Sequence, residues 1–82
     1  RPRGRDLLAR ELAARGIAEG TVREALQAYP LSDEENTARA ALTRLGVTLP
    51  VPAKDRARAW RVLVRLGFAE PTIERICGFP DP

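Results

Sequence analysis

The chain lacks, or nearly lacks, the residue types on which most catalytic and metal sites depend. Its 82 residues include no histidine and one cysteine, Cys77, so the commonest general base is absent and no histidine–cysteine cluster can hold zinc. Ser32 is the only serine, and neither a glycine-rich phosphate loop nor a calcium-binding loop occurs. We therefore expect a protein that is not an enzyme and needs no cofactor, metal or small-molecule substrate.

Long hydrophobic segments are absent as well. No stretch approaches the roughly 18 apolar residues of a spanning helix, and no secretory leader stands at the start, so we expect no membrane association and no secretion. A single cysteine excludes an internal disulfide and favours a cytoplasmic location. The chain has no methionine and begins with arginine, which suggests a piece excised from a longer protein.

Positive charge is present but small in total. Fourteen cations against eleven acids leave a net charge of +3, a weak argument for nucleic acid because non-specific binding grows with the number of phosphates neutralised. All the cations except Lys54 are arginine, which suits bidentate pairing with carboxylate or phosphate. GC-rich coding would produce the same bias.

The spacing of apolar residues predicts five helices and no strand. The first two are expected at about residues 5–15 and 19–28, because apolar positions recur at helical spacing and glycine or proline follows. The third is expected at about residues 33–45, with Ser32 as its cap, Glu35 reaching back to the Ser32 amide, and acids at the positive end of the helix dipole. After the proline-rich connector VTLPVPA, helices four and five are expected at about 54–66 and 70–77.

Each predicted helix has an apolar face that should form the core. Trp60 has helical spacing with other apolar residues of helix four, so we expect it in the core and not as an exposed stacking residue. Cys77 aligns with an inward-facing position and is expected to be a core thiol and not a nucleophile. The residues of helices three and four expected to face inward are Ala38, Ala41, Leu42, Leu45, Ala57, Trp60, Leu63 and Val64.

One segment of the chain occurs twice. LAARGIAEGTVREAL begins at Leu12, and LVRLGFAEPTIERIC begins 51 residues later at Leu63, with the same leucine, glycine, alanine, glutamate and threonine positions. Each copy is typical of a helix end, a tight glycine turn and a second helix. Two short helices cannot enclose a core, so each pair needs a third helix. Helix three serves the second pair, and no predicted helix precedes the first.

This repeat predicts an elongated array of tandem three-helix modules. Residues 1–30 are expected to be the last two helices of a truncated module, and residues 31–82 a complete C-terminal module.

Helix four carries the most informative charges. Lys54, Arg58, Arg61 and Arg65 recur at i, i+4, i+7 and i+11, so they form one stripe, which we call the basic ridge. The ridge is either a solvated face opposite the core or a contact surface for an acidic protein groove or phosphates. Arg1, Arg3, Arg5 and Arg10 could form a second basic patch.

The order of these segments resembles the RecX regulatory protein family. RPRGRDLLARELAARGIAEGTVREAL resembles the second module of that family, and LSDEENTARAALTRLG resembles the acidic opening of its third module. RARAWRVLVRLGFAEPTIERIC resembles its arginine-rich ending and final short helix, so the likeness covers essentially the whole chain.

The resemblance implies a cytoplasmic regulator of the RecA recombinase, with a role in homologous recombination, DNA repair and the SOS response. Such a protein binds the groove of the RecA–DNA filament and in most cases inhibits it, and DNA contacts are compatible with that role. The basic ridge is then the candidate RecA or DNA contact. Two alternatives stay open: a small helical DNA-binding module that acts without RecA, and a helical scaffold with no ligand of its own.

Overall fold

Five α-helices form the fold of residues 2–79, the part of the chain that this computed structural model describes. They are α1 (Arg5–Ala14), α2 (Glu19–Gln27), α3 (Leu31–Arg44), α4 (Arg56–Arg65) and α5 (Glu70–Cys77), with a 3-10 turn at Ala53–Asp55. No strand occurs within residues 2–79, so the predicted all-α class with five helices is confirmed. The expected elongated shape is not evident, because the molecule is a compact globule with extents of 41 × 22 × 20 Å.

The same glycine turn ends α1, α3 and α4. Gly16, Gly46 and Gly67 have φ angles of 79°, 82° and 84°, a region that residues with a Cβ rarely adopt. In each turn the amide of the following apolar residue donates to a carbonyl five residues back, which is the Schellman arrangement. The donor–acceptor pairs are Ile17–Leu12 (3.1 Å), Val47–Leu42 (3.0 Å) and Phe68–Leu63 (3.0 Å).

The main core lies where α3 and α4 pack against α5. Leu42, Leu63 and Ile73 contribute large side chains with no exposed surface. The connector between α3 and α4 also contributes, since Val47 and Val51 are buried. Trp60 is partly buried and packs against this core, while its indole Nε1 donates to the Gly78 carbonyl at 2.7 Å. The smaller members of the core are Ala38, Ala59 and Cys77, with Phe68 from the last glycine turn.

Three residues expected to face inward are exposed. Val64 and Leu45 are 56% and 51% exposed, and Ala57 is exposed as well. On α4 the rotation of the helix is set by Ala59 and Leu63, which lie four residues apart on one face and are fully buried. Since each residue advances about 100° around a helix, the residue after Leu63 turns towards solvent.

The start of α3 also differs from the prediction. The helix begins at Leu31 with Pro30 at the N-cap, and no side chain caps it, so the cap expected at Ser32 is wrong. The Pro30 carbonyl accepts from the Glu34 amide at 3.0 Å, so the first helical turn starts two residues closer to the N-terminus than expected. Glu35, expected to reach back to the Ser32 amide, instead pairs with Arg75 of α5, a partner that sequence spacing does not reveal.

One junction between the first helix pair and the rest of the fold lies where the N-terminus of α1 meets the C-terminus of α4. The Gly4 amide donates to the Leu66 carbonyl at 2.8 Å, and the Asp6 amide donates to the Gly67 carbonyl at 3.1 Å. A Cβ at Gly4 would lie 2.3 Å from the Gly67 oxygen, so only glycine fits. Opposite ends of two helix dipoles therefore meet, which is a favourable arrangement.

Candidate functional site

All four residues of the basic ridge are exposed, but they belong to two elements. Arg58, Arg61 and Arg65 lie on α4, while Lys54 lies in the 3-10 turn before it. Helix four therefore begins at Arg56 and not at about residue 54. The regular helical spacing holds for the three arginines, and Lys54 continues the ridge from a turn whose geometry differs.

The ridge is free of intramolecular ion pairs within residues 2–79. No described carboxylate lies within 4.0 Å of its charged nitrogens, and its one hydrogen bond joins Arg58 Nη2 to the Leu45 carbonyl at 3.4 Å. Other arginines are paired: Arg39 and Arg75, for example, both contact Glu35. An external anion can therefore pair with the ridge without breaking an existing ion pair, and rearranging these exposed side chains costs little free energy.

The arginines near the start of the chain do not form an open patch. Arg3 pairs with Glu11 at 2.8 Å. Arg5 donates from Nε to the Tyr29 carbonyl at 3.0 Å and from Nη2 to the Leu26 carbonyl at 3.4 Å, so it caps the end of α2. Arg1 lies outside the described residues, and Arg10 alone of this group is exposed in the described part.

Sequence reasoning missed Glu34, the only fully buried acid among residues 2–79. Its Oε1 accepts from the Thr72 hydroxyl at 2.7 Å, and its Oε2 accepts from the Arg5 amide at 2.6 Å. The carboxylate therefore joins α3 to α5 and caps the start of α1, where a negative charge is favourable. The repeated threonine position was the one available signal, and it does not identify its partner 38 residues away.

The arrangement around Glu34 is structural. Both oxygens have a donor, and the side chain has no exposed surface, so neither substrate nor water reaches it. No buried polar side-chain atom in the described part of the chain lacks a hydrogen-bond partner. A binding site for a small ligand normally has several polar groups that converge on a pocket, whereas the Glu34 carboxylate faces no pocket.

Cys77 is a core thiol, as predicted. It is 4% exposed and packs among the core residues of α5. Burial raises the pKa of the Cys77 thiol above its ordinary value, and the nearby Arg56 guanidinium opposes that shift in part. The reactive thiolate is therefore disfavoured, which argues against a nucleophilic role.

Two further kinds of feature, a metal cluster and a membrane span, are absent from the described residues. Within residues 2–79, no group of three or more histidine, cysteine, aspartate or glutamate side chains could hold a metal ion. The same part of the chain contains no helix with the length and hydrophobicity needed to cross a bilayer. The basic ridge is therefore the candidate site that the proposal below considers.

No protein-family model, curated protein or solved structure matches this chain. The likeness to the RecX family therefore depends on the sequence phrases alone, and the function that it implies is a proposal.

Proposed function

We propose that this chain is a regulatory binding protein that acts on the RecA–DNA filament, as an inhibitor, through the basic ridge. The single observation that carries the proposal is an exposed row of Lys54, Arg58, Arg61 and Arg65 with no acidic partner among residues 2–79, in a chain whose segments follow the RecX order. An acidic groove in a protein filament is the complement of such a row.

The ridge has a fixed geometry. On its inner side α4 is anchored by Ala59 and Leu63, neither of which has exposed surface. Three arginines on one rigid helix therefore hold their spacing before a partner arrives, which lowers the entropic cost of binding. Guanidinium groups also pair with carboxylates through two parallel hydrogen bonds, which favours a protein partner with acids at matching intervals.

The alternative, a DNA-binding module that acts without RecA, needs α5 as a recognition helix. That helix follows the tight Gly67 turn, but its single cation, Arg75, is engaged by Glu35. Glu70 and Glu74 on the same helix would repel a phosphate backbone. The contacts of α5 therefore favour the filament proposal over this one.

The test measures RecA ATPase on single-stranded DNA, together with cosedimentation of the chain with the filament. We expect the chain to slow ATP hydrolysis and to pellet with the filament. The double variant Arg58→Glu/Arg61→Glu should lose both effects, since both positions are exposed and the fold should tolerate the change. Circular dichroism of each variant verifies that it is folded.

A matched control is available in the first helix pair. Arg10 and Arg15 are exposed and unpaired within residues 2–79, so Arg10→Glu/Arg15→Glu changes the net charge equally without touching the ridge. The control should behave as the unmodified chain does. Equal loss of inhibition in both variants would indicate that net charge, and not the ridge, is responsible. No effect of the unmodified chain on RecA would overturn the proposal.

A further inference from the structure

An apolar groove lies between the C-terminal ends of α3 and α4. Its volume is about 470 Å³, within the range of roughly 300–1,000 Å³ typical of ligand pockets. Leu45 on one wall is 51% exposed, and Val62 and Leu66 on the other are partly buried. Its lining residues are Pro2, Ala41, Arg44, Leu45, Val62, Arg65 and Leu66.

The charged residues that line this groove within the described part of the chain are both cations. Arg44 and Arg65 line it, are exposed, and have no acidic partner within residues 2–79. Arg58 is held at the same helix end by its hydrogen bond to the Leu45 carbonyl. Cations in the last turn of a helix interact favourably with the helix dipole, which accounts for the positions of Arg44 and Arg65. This effect does not explain why Leu45, in the same groove, is exposed.

The combination favours a protein segment over nucleic acid. A phosphate backbone would use the arginines and leave Leu45 and Val62 exposed. None of the described residues that line the groove is aromatic, so no base could stack on them. A peptide with an apolar side chain between carboxylates would use both, since its leucine fills the groove while its acids pair with the arginines. A second groove, beside Ile17 in the first helix pair, includes Glu19 and has mixed charge, so it selects no partner.

We propose that the groove between α3 and α4 binds an acidic peptide segment of a partner protein, in which leucine side chains are flanked by aspartate or glutamate. Arg65 belongs to both this groove and the basic ridge, so the inference builds on the proposed function and specifies the chemistry of the partner. Arg44 and Leu45 then become contact residues that the ridge alone does not include.

The test uses three fluorescein-labelled synthetic peptides of equal length. The first has two leucines flanked by aspartate and glutamate, the second replaces the leucines with alanine, and the third replaces the acids with lysine. Fluorescence anisotropy should show saturable binding of the first peptide, with at least about tenfold weaker binding of the other two, a factor that corresponds to about 1.4 kcal/mol. Oligothymidylate of 15 nucleotides serves as the nucleic-acid probe.

Variants of the chain locate the binding. Leu45→Ser and Arg44→Glu/Arg65→Glu should each weaken the first peptide at least about tenfold, and the exposure of all three residues should leave the fold intact. Arg10→Glu/Arg15→Glu is the matched control and should bind as the unmodified chain does. Amide NMR shifts caused by the peptide should centre on residues 41–45 and 62–66.

Three results would overturn the inference: no saturable binding, binding that Leu45→Ser leaves unchanged, or tighter binding of oligothymidylate that the arginine variant abolishes. The RecA assay separates this outcome from the proposed function. If the chain inhibits RecA but binds no peptide, the proposed function stands and the groove proposal is wrong. If the chain binds the peptide and does not affect RecA, the groove proposal stands and the proposed function is wrong.

Discussion

The pairs α1–α2 and α4–α5 have the same local structure and different surroundings. Their helices begin 51 residues apart, at Arg5 and Arg56 and at Glu19 and Glu70. In the first pair Ile17 after the glycine turn is 38% exposed, whereas its counterpart Phe68 is 4% exposed. The difference is the third helix, because α3 packs on α5 and no described helix packs in the same way on α2. Local sequence thus specifies the helix pair, and burial depends on what covers it.

The likeness extends further along the chain than the duplicated segment does. Arg5 donates to the Leu26 carbonyl at 3.4 Å, and Arg56, 51 residues on, donates to the Cys77 carbonyl at 2.9 Å. In both pairs, an arginine at the start of one helix caps the end of the next. The arginine adds a donor to a carbonyl at the end of each helix, where the last carbonyls have no partner within the helix itself.

The largest difference between the pairs should appear at the matched leucines. Leu63 has no exposed surface, so Leu63→Ala should lower the free energy of unfolding by about 3 kcal/mol or more. Leu12 is partly buried, and Leu12→Ala should cost about half as much. Urea unfolding monitored by circular dichroism measures both. Equal losses would show that α3 does not create the difference in stability.

The glycine turns offer a second comparison of backbone and packing. A Cβ at Gly16 would have no atom within 4 Å, so Gly16→Ala should lower the free energy of unfolding by about 1 kcal/mol, from the positive φ alone. Gly67→Ala would place its Cβ 2.7 Å from the Leu7 backbone nitrogen, and we expect a cost of about 2 to 3 kcal/mol as the junction with α1 opens. Thermal unfolding of the two variants tests this order. If Gly16→Ala were the more damaging, the packing at the junction would not matter.

The repeated threonine separates the pairs at a single hydrogen bond. Thr72→Val removes the donor to buried Glu34, and the unsatisfied carboxylate oxygen should cost about 1 to 2 kcal/mol. Thr21 is exposed, so Thr21→Val should change stability by less than about 0.5 kcal/mol. Chemical unfolding of both variants gives the comparison. A silent Thr72→Val would mean that Glu34 does not depend on this contact.

The smallest effect, with no change in stability required, concerns thiol reactivity. Because the pKa of Cys77 is raised by burial, its thiolate forms at higher pH and its alkylation by iodoacetamide at pH 8 should be slow. The matched position is Leu26, which is partly buried, so Leu26→Cys in a Cys77→Ala background should react about tenfold faster. Mass spectrometry over time gives both rates. Equal rates would place the two thiols in equivalent surroundings.

Sequence patterns predicted the elements well and their orientation less well. The range 70–77 for the fifth helix, the three glycine turns and the core thiol at Cys77 agree with the structure. The patterns were wrong about Ala57, Val64 and Leu45, which are exposed, and about the cap at Ser32. Several residues on α4 have similar hydrophobicity, so periodicity alone cannot select the face that meets α3 and α5.

The candidate site shows the same division. The spacing of Arg58, Arg61 and Arg65 placed them on one face, because helical periodicity is a local property. That no carboxylate in the described part of the chain pairs with them could not be predicted, since ion pairs such as that between Glu35 and Arg75 join residues 40 apart. The groove that links Arg65 to Leu45 exists only because two helix ends lie side by side.

By itself, the sequence determined five helices, their glycine ends and the repeated pair, because these depend on dihedral preferences and apolar spacing within a few residues. Only the tertiary structure decided that Glu34 is buried, that Leu45 is open and that the start of α1 requires Gly4. Each of these depends on contacts between segments distant in the chain, where burial and hydrogen-bond partners are set by packing.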